Sequence, residues 1–432
     1  MKNKKKGFTL VELLAVIVIL AVILVIAVPQ IMNIINDSKK GTLKSTALLI
    51  AKTAEKAKVQ NEVLGNTKPI KCKDIVKLNE DDYSVCNVKF DENDNAVVML
   101  KGKKDGKFNR MMCTGTSSNM ECKELEQGLN CTFDGEAVNG ATYVNGQYTY
   151  TYDLQYSGGW KVELTDKNST DPVTTKVCSY INGKPIVSTV GMFMGSKATS
   201  IDLSGFDSSN VINMMLMFMD VSATSLDLSE LDTGNVSSMN GMFFNSSATS
   251  IDLSGFYTNK LTDSSMMFGN SKAIFINLSS FDTSNVTNMS NMFNGSAVTS
   301  LDLSGFDTSN VTNMAAMFAQ SKIEEINGLN NFDTSNVTNM LAMFSGIALT
   351  SIDLSNFDTS NVANMSDMFS GTKIEELDLS SFDTSNVTNV ARMFRNATAT
   401  KGYARTQADA DKFNASSDKP EGLVFTVKGA TN

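Results

Sequence analysis

The chain has 432 residues, with 37 Lys and Arg against 46 Asp and Glu, and a net charge of −9 makes phosphate neutralisation a poor basis for nucleic-acid binding. Histidine is absent, which removes every mechanism that uses imidazole as general base, nucleophile partner or metal ligand. The length accommodates roughly two to four structural units, and 25 Met and 24 Phe require a positional explanation.

Met1 to Gly7 form a basic head, MKNKKKG, followed by the 21 residues Phe8 to Val28, apolar except for Thr9 and Glu12. Such a stretch is long enough to span a bilayer as a helix. The basic head places the N-terminus on the cytoplasmic side and the rest of the chain outside. A Sec-type signal peptide has a shorter apolar region and ends at a small-residue cleavage site, which the sequence after Val28 does not supply. An ionisable residue such as Glu12 is costly in a membrane helix and marks a function.

The string Gly7-Phe8-Thr9-Leu10-Val11-Glu12 resembles the prepilin motif of type IV pilins and pseudopilins. The resemblance implies cleavage by a prepilin peptidase after Gly7, methylation of Phe8, and pairing of Glu12 with the N-terminal amine of a neighbouring pilin subunit. Pro29 falls where such helices often kink.

Ile31, Ile34, Ile35, Leu43, Ala47, Leu48, Ile50 and Ala51 recur at helical spacing, so the helix is expected to continue to about Gly65. From Ser84 the runs VCNVKF, AVVMLK and KFNRMMC, separated by DENDN and GKKDG, read as a three-stranded antiparallel meander. A long helix packed on such a meander is also what the pilin resemblance implies. The six cysteines, Cys72, Cys86, Cys113, Cys122, Cys131 and Cys178, lack C-x-x-C spacing. With no histidine a zinc site is weakly supported, and outside the membrane disulfides are the better reading. Of 15 pairings, the local one is preferred: 72 with 86, 113 with 122, 131 with 178; reduced buried thiols are the alternative. Tyr148, Tyr150 and Tyr152 alternate along a strand-like run. Core packing is the favoured reading of that row, a sugar-stacking platform the other.

Met-Phe recurs at 192, 217, 242, 267, 292, 317, 343, 368 and 393, at intervals of 25 residues and once 26, a solenoid period. Within a unit, Val298, Leu301 and Leu303 give the L-x-x-L-x-L spacing of a leucine-rich-repeat strand. Val311, Met314, Met317 and Phe318 give one face of a short helix, capped by the Asp307–Asn310 cluster. Met and Phe are therefore core residues. The 26-residue unit suits a bulge at Gly328, and the unit 251–268, with Tyr257, Lys260 and Ser264 at variant positions, is expected to be looser on its convex side.

The units resemble the bacterial BspA-like class of leucine-rich-repeat surface proteins over about Ser188 to Asn396, with similar flanking caps. The expected fold class is an α/β repeat: a leucine-rich-repeat-like parallel β solenoid with short convex helices, preceded by a pilin-like long N-terminal helix and small antiparallel β regions. The expected divisions are a leader at 1–7, helix at 8–65 with its membrane part at 8–28, pilin-like β region at 66–130, small β cap domain at 131–187, repeats at 188–396 and C-terminal cap at 397–432.

Outward strand positions are uniform, with Ser200 and Asp202, Ser225 and Asp227, Ser250 and Asp252, Ser300 and Asp302, then Asp353 and Asp378. Three readings stand: a binding face for a protein or glycan, a cation-lined strip, or a solvated face repeated by duplication. As outward carboxylates, these aspartates are expected to be dispensable for folding. The N-x-S/T strings at Asn235, Asn285, Asn310, Asn336 and Asn386 are by-products of the repeat, not glycosylation sites.

The leading functional reading is a surface-displayed, pilin-like adhesion or recognition protein, held at the membrane by its single N-terminal helix or incorporated in a pilus. Its expected partners are other pilin subunits, prepilin peptidase and a host or microbial surface protein or glycan, with no nucleic acid, cofactor, metal or enzymatic activity. The alternative is a minor pseudopilin of a type II secretion or DNA-uptake machine. A carboxylate-based hydrolase is disfavoured because identical aspartates on a ladder offer no pair with differentiated environments.

Overall fold

The structure, a computed structural model, describes residues 10–64, 70, 72–79, 81–91, 93–103, 106–125, 128–156 and 158–429. The chain forms two compact units, Met1–Lys56 with Cys72–Leu125, and Ala57–Lys71 with Glu126–Asn432.

Helix α1 runs Leu10–Leu64 and stops just before Gly65, as the pattern requires. In the first unit Leu43, Ala47, Ile50, Ala51 and Ala54 are fully buried on one helical face, whereas Ile31, Ile34 and Ile35 are exposed. Glu55 ties α1 to the sheet, its Oε1 accepting the Ala96 N–H at 3.4 Å and the Ser117 hydroxyl at 2.9 Å. A short helical turn, α2, spans Cys72–Ile75.

The sheet has four antiparallel strands in sequential order: β1 Tyr83–Phe90, β2 Ala96–Gly102, β3 Met111–Gly115 and β4 Met120–Glu124. The sequence reading missed β4, whose run MECKE is too polar to register as a strand. Pairing of Cys113 opposite Cys122 and the disulfide between them place it. Cys72 is joined to Cys86 and Cys131 to Cys178, the local pairs preferred from sequence.

The second unit begins with six strands: β5 Leu129–Cys131, β6 Thr142–Asn145, β7 Tyr148–Asp153, β8 Gly159–Leu164, β9 Cys178–Ile181 and β10 Lys184–Ser188. Their spatial order is β5-β9-β10-β8-β7-β6. Tyr148, Tyr150 and Tyr152 are buried here with Trp160. The rings are core, and the sugar-stacking platform is excluded.

Residues from Ser188 onward wind into a β-solenoid. Leu203, Leu228, Leu253, Leu278, Leu303, Leu354 and Leu379 are all buried, in the register expected. The continuous sheet along those strands is not formed. Its regular pairs are β11 Ser250–Asp252 with β12 Phe275–Asn277, β13 Ser300–Asp302 with β14 Glu325–Asn327, and β15 Glu376–Leu379, which runs on into the C-terminal cap.

The short convex helices are also absent among the described residues of the repeats. In their place a ladder of single parallel bridges runs without a break from Ser188 through Asn213, Ser238, Asp263, Asn288, Asn313, Asn339 and Asn364 to Asn389. The N–H groups of Met314, Ala316, Phe318 and Gln320 donate to the carbonyls of Asn339, Leu341, Met343 and Ser345 on the next turn, at 3.1, 2.7, 3.0 and 2.7 Å. Ala316 and Gln320 are left-handed, with φ of 53° and 54°, so the segment is a chain of β-turns. Two left-handed residues four apart break any i→i−4 ladder, and stacking satisfies the N–H groups that a helix would have used internally.

The apolar reading of this segment holds. Val311, Met314, Met317 and Phe318 are fully buried. The phenylalanines of the Met-Phe pairs stack from Phe193 to Phe394, with centroids 5.3 to 6.1 Å apart and rings within 13° of parallel. Tyr148 closes the stack edge-on at its start, 6.2 Å from Phe193, and Phe425, tilted by 38°, closes its end 4.8 Å from Phe394. The unit 251–268 is not loosened, because Ser264 is buried and the Asp263–Asn288 bridge is intact.

The tetrapeptide Asp-Thr-Ser-Asn holds neighbouring turns together. Asp307 Oδ1 accepts the Ser309 N–H at 3.1 Å, an Asx turn. Buried Thr308 donates to the Asp333 carbonyl of the next turn at 2.8 Å, and the Asn310 amide donates to the Ser284 carbonyl of the previous one at 2.7 Å. Asn235, Asn285, Asn336 and Asn386 bond backward in the same way, each at 2.7 Å.

The extra residue of the 26-residue unit is Gly328, at φ 85°, followed by a 3-10 turn Leu329–Asn331, where a bulge was expected. A Cβ there would lie 2.4 Å from the Ser304 backbone, so only glycine fits, and Leu329 fills the buried slot.

The C-terminal cap adds β16 Lys401–Ala404 and β17 Val424–Val427 in parallel to β15, with helix α3 at Gln407–Asn414 between them. Asp409 of α3 is 2% exposed and accepts from the Thr384 N–H and hydroxyl at 2.9 and 2.7 Å, where a further turn would otherwise bond. Burial raises its pKa, but hydrogen bonds from Thr406, Thr384 and Arg405 outweigh this and hold it at about 2.

Candidate binding face

Along the solenoid, strand residues alternate between the core and an outward face. Ser200, Ser225, Ser250 and Ser300 are exposed, as are Asp227, Asp252, Asp302 and Asp353; Asp202 and Asp378 are half-buried. The aspartates line up because each sits one residue before a buried leucine, as Asp302 does before Leu303.

They are not mere surface decoration. Oδ1 of Asp202, Asp227, Asp252, Asp302, Asp353 and Asp378 accepts the N–H of the serine two residues on, at 2.8 to 3.1 Å. The expectation that these residues are dispensable for folding is therefore corrected: each closes a turn, so Asp→Ala would remove an acceptor, whereas Asp→Asn would keep one.

The ends of the row differ from its middle. Asp202 pairs with Lys176 of the N-terminal cap at 3.2 Å, and Asp378 with Lys428 of the C-terminal cap. Hydrogen bonds from Ser204, with help from Lys176, lower the Asp202 pKa. At Asp378 desolvation opposes the shift, but Lys428 and Ser380 outweigh it. The Ser355 N–H and hydroxyl lower Asp353. Among the described residues Asp227, Asp252, Asp302 and Asp353 have no salt bridge, and no cluster of three or more acidic or cysteine ligands is disposed to hold a metal ion.

The fourth turn departs from the pattern. Where turns three and five carry Thr249-Ser250 and Thr299-Ser300, it carries Ile274-Phe275, 67% and 56% exposed, and Asn277 stands in the aspartate row. Asn277 donates to Asp252 Oδ1 at 2.9 Å. This exchange of Thr-Ser for two apolar residues is visible in the aligned repeats but was not singled out in the reading of the sequence. A shallow cleft of about 70 Å³ between Asp202 and Asp227 is too small for an ordinary ligand pocket.

Gly7 and Phe8 lie outside the described residues, as do the side chains of Glu12 and of the rest of the apolar stretch read as membrane-spanning, of which only the helical backbone from Leu10 is described. Among the described residues no helix is long and apolar enough to cross a membrane.

Residues 2–28 match the prokaryotic N-terminal methylation motif. Residues 170–277, 246–323 and 319–419 match, in three overlapping stretches, a family of repeat-bearing chains described as Mycoplasma protein of unknown function, DUF285. No curated protein and no solved structure matches the chain.

Proposed function

Because the chain belongs to the family described as Mycoplasma protein of unknown function, DUF285, and opens with a prepilin-type methylation motif, we propose that it is a pilin-like surface adhesion or recognition protein whose solenoid head binds a protein partner. The N-terminal motif relates it to pilin subunits and to prepilin peptidase. On this reading the first helix serves for membrane storage and assembly, and the head is of the BspA-like leucine-rich-repeat kind.

The observation that carries the proposal is the outward strand face itself. Its exposed carboxylates and hydroxyls repeat from turn to turn on a stack that is buried inside and closed at both ends. Fixed Asx turns pre-order its carboxylates, which lowers the entropic cost of binding.

The test is the combined substitution Asp227→Asn, Asp252→Asn and Asp302→Asn, which keeps each turn acceptor and removes the charge. Cells carrying it should export the protein normally, show an unchanged thermal melt of the head, and attach less well. Wild-type attachment by a folded variant would overturn the role of the face, and an export defect on deletion of the gene would favour the secretion-machine alternative.

A further inference from the structure

We propose that Ile274 and Phe275 are the anchor of the head's interface, and that their occupant is a basic protein surface carrying an apolar side chain. The inference rests on the reading of the strand face as a binding face and names the chemistry of its partner.

Three observations converge on the fourth turn. Ile274 and Phe275 are more than half exposed in a column that is Thr-Ser in the turns on either side. Exposure of a lone apolar residue needs no explanation, but two adjacent ones replacing a repeated polar pair form a patch. The aspartate row is broken at the same turn by Asn277, so that turn's acidic position carries no charge, while exposed Lys272 stands two residues before Ile274. Beyond that turn the charge resumes on both sides, with Asp227 and Asp252 before it and Asp302, Glu324 and Glu325 after it.

The strand register fixes the proximity. Phe275 pairs with Ser250, and Asp252 pairs with Asn277. In the next pair of turns Ser300 lies beside Glu325 and Asp302 beside Asn327. With neighbouring strands about 4.8 Å apart, carboxylates stand within one or two turns of the apolar pair on either side. Among the described residues none of those five acids has a salt bridge, whereas the acids at the ends of the face, Asp202 and Asp378, are neutralised by lysines of the caps. An apolar centre with an unneutralised acidic rim has the layout of a protein interface, where a buried anchor supplies affinity and rim charges supply steering and partner choice. A second copy of this acidic chain is the poorer fit, because like rims would oppose each other.

The experiment flows full-length protein, in detergent, over three immobilised probes: a short peptide with a Leu-Trp pair flanked by lysines, the same pair flanked by glutamates, and a neutral polysaccharide. The lysine probe should bind in a salt-sensitive manner and the other two should not. The double variant Ile274→Thr, Phe275→Ser installs the residues of the neighbouring turns, so its thermal melt should match wild type while its affinity falls at least about 10-fold. Asp134→Asn, which removes one exposed charge from the N-terminal cap outside the strand face, should change affinity by less than about 2-fold.

The proposal is overturned if wild type does not bind the lysine probe, if it binds the glutamate or polysaccharide probe equally, or if the double variant binds as wild type does. It is also overturned if sedimentation shows a wild-type self-association that the double variant lacks, which assigns the patch to a second copy. Loss of cell attachment in the triple aspartate variant, with wild-type attachment in the apolar double variant, would sink this inference and leave the binding face standing. Wild-type attachment by both variants would sink the binding face as well.

Discussion

Thr283 and Asp307, on successive turns, are joined twice: the threonine hydroxyl donates to the Asp307 carbonyl at 2.8 Å and accepts the Asp307 N–H at 2.8 Å. Thr283 is fully buried, so one shielded hydroxyl satisfies two backbone groups of the next turn. Thr258 serves Asp282 in the same way, at 2.9 and 2.8 Å.

Replacing Thr283 with Val, nearly its equal in volume, should leave both Asp307 groups unpaired and cost about 2 to 4 kcal/mol. Thr283→Ser should retain most of the stability. A denaturant midpoint for the Val variant equal to that of wild type would show that the clamp contributes nothing.

Leu303 is fully buried at mid-stack. Leu303→Ala should cost roughly 3 kcal/mol through lost burial and a cavity, and Leu303→Asp, an unpaired buried charge, should unfold several turns. Proteolysis that fails to open the repeats of the Asp variant would count against the register.

Ala316 separates the turn conformation from a helix by the sign of one substitution. At φ 53° a side chain is strained, so Ala316→Gly should stabilise by up to about 1 kcal/mol. In a helix the same change would destabilise by about 1 kcal/mol. Thermal melting of the variant decides between them.

Asp409 links the C-terminal cap to pH. Its carboxyl is held at about 2 in the folded chain, below the unfolded value near 3.9. The stability it contributes is therefore complete above the unfolded value and is lost as pH falls from about 4 to about 2. Asp409→Asn should flatten the acid limb of a stability profile in that window, and an unchanged limb would remove Asp409 from the account.

Processing is tested by mass spectrometry of the mature chain, which should begin at Phe8 carrying an N-methyl group. A chain beginning at Met1 or near Gln30 would contradict the prepilin assignment.

Much of this protein is determined by spacing. The 25-residue recurrence of Met-Phe fixes a solenoid, because only repeat-on-repeat stacking buries those residues at every turn, and the positions of Leu303, Met314 and Phe318 fix which residues face inward. The motif from Gly7 to Glu12 is likewise a matter of order along the chain. Conformation between the buried positions was not determined in that way. Val311, Met314, Met317 and Phe318 have the spacing of a helical face and are all buried, yet the segment is a series of turns.

A local signal for those turns was present. The residue two after each phenylalanine is Gly195, Asp220, Asn245, Asn270, Gly295, Gln320, Gly346, Gly371 or Asn396, and all have positive φ. Glycine and asparagine predominate there because they tolerate the left-handed region. Which backbone groups pair with which is a different matter. The N–H of Ala316 reaches the carbonyl of Leu341, 25 residues away, only after the turns have stacked. Sequence periodicity records what must be buried, whereas hydrogen-bond partners between turns exist only in the assembled stack, and there they override the helical alternative. The exposed pair Ile274 and Phe275 lies between these cases: its departure from the repeat is written in the sequence, and its place among unneutralised carboxylates is decided by the register of the neighbouring strands.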